Sequence, residues 1–463
     1  MINNLLHGLL DVGSFRRWDD GTPESVITGG GLLAGHRVAV VASDFSFQGG
    51  SIGLVAGERL TRAVERATAQ RRALIALPAS GGTRMQEGTP AFLQMLKVTA
   101  AVTGHKAAGL PYLAYLRHPT TGGVLASWAS LAHVTLAEPG ALIGFLGPRV
   151  AEAITGQPFP PGVQTAENLH AHGIIDAVVP LPGLSGHLAG VLDALETPSV
   201  HPLSRWAERN VPSPPPFPRP RPVPAGGPPG AWECVRLTRA PGYRAAQVLR
   251  EAAPGLAVLA EAGGLLLAAG QVGRTRAVVV AQDGVGAFGI DGLRLARRGM
   301  LLAAELELPL VTMMDTPGAE LSAAAEEGGI AREVAQTLAL LVGLPVPTVA
   351  VLLGQGAGGG ALALLPADRI LADWCAWLAP LAPEGASAIV YRDTAHAPEL
   401  ARAQGIRAVD LAAAGVLDMV APDDPESLAR VLIASLGALT ELSVSERLAR
   451  RRRGLRALGI PPR

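Results

Sequence analysis

The feature that most constrains the fold is an internal duplication with an offset of about 240 residues. Residues 38–44 (Val-Ala-Val-Val-Ala-Ser-Asp) correspond to 277–283 (Ala-Val-Val-Val-Ala-Gln-Asp), and residues 173–180 correspond to 415–422. Self-similarity at one offset is the signature of a repeated structural unit. We therefore expect two copies of one topology in this chain.

Both copies share an order of predicted elements. After the first apolar run comes a Gly-rich turn, a helical stretch (57–69 and 292–305) and a second apolar run (73–77 and 308–313). Short apolar, β-branched runs are typical of buried parallel strands. Strands that alternate with helices predict an α/β fold with right-handed crossovers.

A proline-rich segment divides the two copies. Ten of the eighteen residues from Pro212 to Pro229 are proline, and such a segment favours extended polyproline geometry over helix or sheet. The sequence therefore predicts a semi-rigid linker at 206–230, between an N-terminal domain (1–205) and a C-terminal domain (231–463).

Composition excludes several classes of protein. The formal net charge is zero, whereas a nucleic-acid-binding surface needs a basic excess. No unbroken apolar run reaches the length of about 20 residues that a membrane helix needs, and residues 1–10 do not have the pattern of a signal peptide. Two cysteines, Cys234 and Cys375, cannot form a four-cysteine zinc site. We expect a cytoplasmic protein with reduced thiols and no metal.

Paired glycines open a predicted helix in each copy. Gly122-Gly123 follows Ser80 by about 42 residues, and a Gly358-Gly359-Gly360 run follows Asp315 by about 43. A helix start offers unpaired N–H groups, and glycine lets a ligand oxygen approach them closely. Two such groups directed at one oxygen form an oxyanion hole. Tight helix packing explains a single glycine pair better than an oxyanion hole does, but two pairs at matching positions reverse this preference and favour two oxyanion holes.

Several motifs resemble a known family. Residues 79–87 (Ala-Ser-Gly-Gly-Thr-Arg-Met-Gln-Glu), 119–124 (Pro-Thr-Thr-Gly-Gly-Val) and 137–145 (Ala-Glu-Pro-Gly-Ala-Leu-Ile-Gly-Phe) resemble the β subunit of bacterial acetyl-CoA carboxylase carboxyltransferase. In the second copy, residues 315–319 (Asp-Thr-Pro-Gly-Ala) and 383–388 (Pro-Glu-Gly-Ala-Ser-Ala) resemble its α subunit. The chain is thus similar to a fusion of both subunits, as in single-chain acyl-CoA and propionyl-CoA carboxyltransferases.

The resemblance implies two tandem crotonase-like domains, each a spiral of ββα units, with active sites where opposite halves of two protomers meet. It implies carboxyl transfer from N1-carboxybiotin, on a separate carrier protein, to acetyl-CoA, and a homo-oligomer (a dimer or a trimer of dimers). The partners would be an acyl-CoA, a biotin carboxyl carrier protein and biotin carboxylase.

Family roles are carried over by position. Gly122 and Gly123 would hold the thioester oxygen, and Gly359 and Gly360, with Ala361 as an alternative, the ureido oxygen of biotin. The turn at Ser80, Gly81, Gly82 and Arg84 would bind substrate.

Other side chains have two interpretations each. Arg84 suits a CoA phosphate or a salt bridge to Glu87 equally well, and Arg149 suits packing at a dimer face slightly better than binding. Asp315 is expected to cap a turn before a helix. Glu326 and Glu327 are expected on a solvated helical face.

The sequence also departs from the family. The four cysteines of the β-subunit zinc ribbon have no counterparts, so zinc binding is not carried over. Where the α subunit continues with Tyr-Pro-Gly, this chain has Glu-Leu-Ser-Ala at 320–323, so acyl or carrier recognition can differ. A biotin-attachment motif is also missing.

Three other functions stay open from sequence. They are carboxylation of propionyl-CoA or another acyl-CoA, decarboxylation of malonyl or related thioesters on the same fold, and a non-catalytic scaffold. An enoyl-CoA hydratase is disfavoured, because no paired glutamates lie near the glycine motifs.

Overall fold

The structure, a computed structural model, describes residues 2–195, 229–239, 244–282, 284, 286–422 and 424–459. Apart from its last two residues, the predicted linker 206–230 lies outside these ranges, as does Asp283 at the end of a predicted strand. The domain boundaries at 205 and 231 stay predictions.

The N-terminal half contains a seven-stranded sheet within the described residues. The strands of this half are β1 (Arg16–Arg17), β2 (Val26–Leu33), β3 (His36–Ser43), β4 (Ala73–Leu77), β5 (Tyr112–Leu116), β6 (Thr120–Thr121), β7 (Val134–Ala137), β8 (Ile143–Gly144) and β9 (Ala177–Val178). β6 and β8 pair with each other in a separate two-stranded ladder, and the other seven form the sheet. The helices are α1 (Ile2–Leu9), α2 (Leu54–Ala69), α3 (Gly88–Phe92), α4 (Gln94–Ala107), α5 (Pro148–Thr155), α6 (Ala166–Ala171) and α7 (Leu181–Leu195).

The C-terminal half contains an eight-stranded sheet within the described residues. Its strands are β10 (Ala257–Ala262), β11 (Leu265–Val272), β12 (Thr275–Gln282), β13 (Leu310–Thr316), β14 (Thr348–Ala357), β15 (Arg369–Asp373), β16 (Trp377–Ala379) and β17 (Met419–Ala421). The helices are α8 (Ala231–Thr238), α9 (Arg244–Ala252), α10 (Ile290–Glu305), α11 (Ala323–Glu327), α12 (Ile330–Gly343), α13 (Gly358–Leu362), α14 (Pro383–Val390), α15 (Ala397–Ala403), α16 (Ala408–Ala413), α17 (Pro425–Thr440) and α18 (Val444–Ala457).

The two sheets have the same strand order. β1-β2-β3-β4-β5-β7-β9 in the first half corresponds to β10-β11-β12-β13-β14-β15-β17 in the second, and β16 pairs with β14 beside that path. In both halves the first three strands pair antiparallel and the following strands pair parallel. The predicted α/β fold with one topology repeated in each half is confirmed, and its crotonase-like character stays what the resemblance implies.

A continuous apolar core joins the halves. α12 of the second half packs against α4 and against the 3-10 turn Trp128–Leu131 of the first half. Leu96 of α4 and Leu338 of α12 belong to one cluster and are almost fully buried. Since burying one leucine stabilises a fold by about 1.5–3 kcal/mol, this contact fixes how the two halves meet.

A partly buried charge cluster adds α18 to this contact. Lys97 Nζ lies 2.5 Å from Glu58 Oε2, and the Arg456 guanidinium donates two hydrogen bonds of 2.7 Å to the same carboxylate. Burial alone would raise the pKa of Glu58, but the hydrogen bonds from Arg456 and Lys97 lower it to about 2. The C-terminal helix is therefore held on the first half by an ionised glutamate.

We expect this cluster to make stability depend on pH. The pKa of Glu58 in the folded protein lies below its ordinary value of 4.5. The contribution of Glu58 to the free energy of unfolding is therefore present above pH 4.5 and is lost as the pH falls toward about 2. Glu58→Gln should lower the free energy of unfolding at neutral pH, and the deficit should shrink with acidification. Chemical denaturation at several pH values measures this. Glu305→Gln, at an exposed glutamate, serves as the control, and a pH-independent deficit for Glu58→Gln would contradict the account.

Within the second half, α18 is anchored by Arg451. Its guanidinium donates to Asp368 at 2.8 and 3.1 Å and to the carbonyl oxygens of Leu341 and Leu344 at 3.0 and 2.8 Å. Both partners of the ion pair have side chains that are at most 2% exposed. A buried carboxylate would therefore be left without its cation if Arg451 were removed.

Arg451→Ala should lower the free energy of unfolding by about 3–5 kcal/mol, because it leaves Asp368 buried and uncompensated. Arg452→Ala changes an exposed neighbour on the same helix and should stay within about 0.5 kcal/mol of the parent protein. Urea unfolding compares the two. Equal losses in both variants would show that the buried pair does not anchor α18.

Candidate active site

A cavity of about 890 Å³ lies between the two halves. Gly81, Gly122 and Gly123 of the first half line it, and Gly358 and Gly359 of the second half line it as well. Both glycine segments thus border one cavity of a single chain. The arrangement implied by the resemblance, in which opposite halves of two protomers meet, stays a prediction.

The turn after β4 presents a free amide to this cavity. Residue 83 forms a parallel bridge with Ile52, in which Ile52 donates to Gly82 O at 2.9 Å and Arg84 donates to Ile52 O at 2.9 Å. These bonds leave the N–H of Thr83 on the opposite side, where it has no acceptor among the described residues. Thr83 lines the cavity.

The Gly122-Gly123 segment supplies a second amide. Gly122 has a φ of +67°, which favours glycine, and donates its N–H to Phe145 O at 3.0 Å. The prediction that Gly122 is an oxyanion donor is therefore wrong, because its N–H extends the β6–β8 ladder. The N–H of Gly123 has no acceptor among the described residues. A regular helix does not follow; a turn leads into the 3-10 segment Trp128–Leu131.

The Thr83 and Gly123 segments are in close contact. A Cβ added at Gly82 would lie 3.2 Å from Gly123 N, and a Cβ added at Gly123 would lie 3.1 Å from Thr83 Oγ1. Gly82 has a φ of +103°, so glycine is needed there both for the backbone conformation and for this approach. The two free amides therefore lie side by side in the cavity wall.

The second half repeats this arrangement 236 positions later. Ala319 forms a parallel bridge with Phe288, whose N–H donates to Gly318 O at 2.8 Å, while Glu320 donates to Phe288 O at 3.1 Å. The N–H of Ala319 is left without an acceptor among the described residues. Gly359 lies in the first turn of α13, where N–H groups have no carbonyl one turn back. Ala319 and Gly359 both line the cavity.

Four predicted site residues, Ser80, Gly82, Gly360 and Ala361, do not line the cavity. Gly360 and Ala361 are buried and outside its lining, and the N–H of Ala361 serves the first intrahelical bond, to the N-cap residue Ala357. Ser80 is fully buried, and its Oγ accepts from Gly82 N at 3.0 Å. In the second half Thr316 Oγ1 accepts from Gly318 N at 3.2 Å in the same way. Ser80 therefore shapes the turn, and its buried side chain does not line the cavity.

Sequence reasoning missed Thr83 and Ala319. The signal was present, because each stands in a turn motif that follows a predicted buried strand. What the sequence does not reveal is the bridge partner, which decides the side to which each N–H points.

Arg84 makes an internal ion pair. Its guanidinium donates to Glu87 at 2.9 Å, to Glu24, and to the carbonyl oxygen of Ser51 at 3.0 Å. Burial alone would raise the pKa of Glu24, but the hydrogen bonds from Arg84 and Ser25 and the charge of Arg84 together lower that pKa. The salt-bridge interpretation is confirmed. Arg84 also lines the cavity, so the substrate-binding role predicted for it stays a prediction.

The cavity wall has few ionisable groups. Its described lining contains no Asp or Glu, and besides Arg84 the charged or titratable side chains are those of His118 and Arg149. Arg149 is exposed and forms no ion pair with the described residues. A wall of this kind can hold a negatively charged oxygen through its amides, but it offers no carboxylate as a general base.

Two acidic residues lie where sequence did not place them. Asp315 is 2% exposed and accepts a hydrogen bond of 2.8 Å from Gln355 N, so it joins β13 to β14 and caps no helix. Glu326 is only 7% exposed and accepts from Phe145 N at 2.8 and 3.0 Å. The prediction that Glu326 lies on a solvated face is wrong. Burial raises its pKa, although the N–H of Phe145 counteracts this.

Cys234 and Cys375 are buried and form no disulfide among the described residues. Within the described ranges, no group of three or more His, Cys, Asp or Glu side chains could hold a metal ion. Among the described helices, none combines the length and apolarity needed to cross a membrane.

Comparisons with known proteins cover both halves. Residues 13–225 match the family model described as the carboxyl transferase domain, and residues 255–459 match the one described as acetyl co-enzyme A carboxylase carboxyltransferase-like. In Mycobacterium tuberculosis, a protein named a probable biotin-dependent acyl-coenzyme A carboxylase beta3 subunit is 50% identical over 99% of this chain and 98% of its own length. In Salinispora arenicola, a protein named acetyl-coenzyme A carboxylase carboxyl transferase subunits beta/alpha is 39% identical, covering 95% of this chain and 82% of that protein.

Among solved structures, transcarboxylase 12S is similar with a TM-score of 0.41 and 23% identity, over 95% of this chain and 89% of the other. The β subunit of geranyl-CoA carboxylase from P. aeruginosa has a TM-score of 0.39 and 17% identity, over 96% and 87%. The matched family models and the near full-length relatives decide the assignment. The chain belongs to the carboxyltransferase family of biotin-dependent acyl-CoA carboxylases.

Proposed function

We propose that this chain transfers a carboxyl group from N1-carboxybiotin, on a separate carrier protein, to acetyl-CoA to give malonyl-CoA. The observation that carries the proposal is the cavity with two pairs of unbonded amides, Thr83 with Gly123 and Ala319 with Gly359. The carrier and the ATP-using biotin carboxylase are proposed to be other chains, and the enzyme itself a cytoplasmic homo-oligomer.

The cavity suits two reactants that meet in one place. Its volume of about 890 Å³ lies at the upper end of the range of about 300–1,000 Å³ typical of small-molecule sites. One amide pair comes from each half, so each reactant has its own hydrogen-bonding wall. Positioning both against each other removes much of the entropic barrier of a bimolecular step.

Each amide pair is assigned to one oxygen. Thr83 and Gly123 would donate to the thioester oxygen, which becomes negatively charged as the α proton leaves. Ala319 and Gly359 would donate to the ureido oxygen of biotin. Because these amides are already oriented and lack protein acceptors, stabilising the charge needs no rearrangement.

A general base from this chain is not needed for the transfer. When bound, carboxybiotin would supply both the carboxyl group and the acceptor for the α proton. The bond between N1 and the carboxyl carbon would break, N1 would take up the α proton, and the α carbon would bond to the carboxyl carbon. The chain's own part is to orient both groups and to hold the two oxygens. The absence of Asp and Glu from the described cavity wall agrees with this division of roles.

The choice of acetyl-CoA is supported by relatives whose names specify acetyl-coenzyme A, such as the 39% identical protein. The 50% identical relative is named only for acyl-coenzyme A. The segment 320–323, whose sequence differs from that of the α subunit, bears on the choice of acyl group. Leu321 lines the cavity, and Ser322 caps α11 through a 3.0 Å hydrogen bond from Ala325 N. Propionyl-CoA is therefore the substrate to compare.

The reverse reaction tests the proposal directly. Purified protein should carboxylate biotin with malonyl-CoA and do so faster than with methylmalonyl-CoA, measured by the appearance of acetyl-CoA or propionyl-CoA. A higher rate with methylmalonyl-CoA would reassign the substrate. Release of CO₂ without any need for biotin would identify a decarboxylase, and failure to bind either thioester would support the scaffold alternative.

Gly123→Pro tests the first amide pair. Proline removes the N–H of residue 123, so kcat should fall by about 10²–10³-fold, as expected for the loss of one oxyanion donor. The N–H has no protein acceptor in the described structure, so folding should lose no hydrogen bond.

Gly123→Ala is the matched control. It keeps the N–H and adds only a Cβ at 3.1 Å from Thr83 Oγ1, so its kcat should remain much closer to that of the parent. Thermal unfolding of both variants separates catalysis from folding. Equal kcat values for the proline and alanine variants would exclude Gly123 as a donor.

A further inference from the structure

Glu326 is a buried carboxylate that crosses between the two halves. It lies on α11 of the second half, yet its described hydrogen-bond partners belong to the first half: Phe145 N at 2.8 and 3.0 Å and Gln164 Nε2 at 2.5 Å. No Arg or Lys forms an ion pair with it among the described residues. A carboxylate buried without a cation is costly and is compensated here only by N–H donors.

Phe145 connects this carboxylate to the first amide pair. It follows β8 directly, and Gly122 follows β6 directly, so the hydrogen bond from Gly122 N to Phe145 O at 3.0 Å extends the β6–β8 ladder. The N–H of Phe145 points to Glu326 while its carbonyl receives Gly122. Glu326 therefore fixes the far end of the ladder that orients Gly123.

Phe145 also contacts the second amide pair. A Cβ added at Gly359 would lie 3.2 Å from Cε2 of Phe145, and both residues line the cavity. Phe145 thus bonds Gly122, the residue before Gly123, and lies beside Gly359, and its backbone is held by a carboxylate from the opposite half. A shift of Phe145 would alter the spacing of the two sites as well as the direction of Gly123 N–H.

We propose that Glu326 is a positioning residue for carboxyl transfer: by holding the Phe145 backbone it orients the Gly123 amide, so that the oxyanion site of the first half depends on a side chain of the second. The kinetic part of this proposal rests on the proposed function. The structural part, the hold on Phe145, does not.

The neighbouring Glu327 offers a matched control. It also reaches the first half, accepting a hydrogen bond of 3.1 Å from Asn168 Nδ2 on α6, but it makes no described contact with Phe145 or Gly122. Glu327→Gln therefore removes a negative charge and weakens a link between the halves without disturbing the ladder.

The test compares Glu326→Gln with Glu327→Gln in the full chain. The glutamine is nearly isosteric but replaces one acceptor oxygen with an NH₂ group that faces the donors of Phe145 and Gln164. We expect kcat for biotin carboxylation by malonyl-CoA to fall about tenfold or more, with a much smaller change in KM for malonyl-CoA, because the affected contact acts on developing charge. Glu327→Gln should retain the kcat of the parent.

Amide hydrogen exchange provides a readout that is independent of activity. Exchange at Gly122 and Phe145 should become faster in Glu326→Gln and stay unchanged in Glu327→Gln. Glu326→Asp, whose carboxylate is one methylene shorter, should change exchange and kcat in the same direction and serves if the glutamine variant does not fold.

Three outcomes would overturn the proposal. They are unchanged kcat and exchange in the Glu326 variants, equal effects in Glu326→Gln and Glu327→Gln, or a joint loss of thermal stability, kcat and substrate affinity that marks a merely structural role. If the parent protein transfers no carboxyl group, the proposed function fails by itself, and the exchange comparison still decides whether Glu326 holds Phe145.

Discussion

Four backbone N–H groups without protein acceptors are the constraint on which the rest of this structure depends. Leaving a fully buried donor unpaired costs about 1–3 kcal/mol; Thr83, Gly123 and Gly359 are only half-buried, so their amides can meet an acceptor that enters the cavity. Three neighbouring amides are used within the protein: Gly122 donates to Phe145, Gly82 to Ser80, and Gly318 to Thr316. The remaining N–H groups of Thr83, Gly123, Ala319 and Gly359 line the cavity between the halves.

Duplication explains why the pairs match. In both halves a strand ends in a turn whose glycine has positive φ, Gly82 at +103° and Gly318 at +137°, and a hydroxyl two residues earlier accepts that glycine's N–H. The next residue then forms a parallel β-bridge with a loop residue. That loop residue makes backbone hydrogen bonds with the residues on either side of the bridged one. The same backbone conformation and hydrogen bonds thus occur in both halves. The apolar core shared by α4 and α12 brings the two copies to one cavity.

Much of the fold was predictable because buried strands and turn motifs are local signals. β4 spans Ala73–Leu77 as the apolar run indicated, and the matching glycines identified Gly123 and Gly359. Thr83 and Ala319 were not predictable, since the bridge partners Ile52 and Phe288 that orient their amides are 31 residues away in both cases. Glu326 was misplaced for a related reason: it stands in an alanine-rich acidic segment that suggests exposure, and its partner Phe145 is 181 residues distant.

The most direct measurement is a crystal structure of the protein with a bound acyl-CoA or a stable thioester analogue. The account predicts the acyl oxygen at about 2.7–3.1 Å from the backbone nitrogens of both Thr83 and Gly123, with Gly122 still bonded to Phe145. An acyl oxygen held elsewhere, or Thr83 and Gly123 amides bonded to protein carbonyls in the complex, would contradict it.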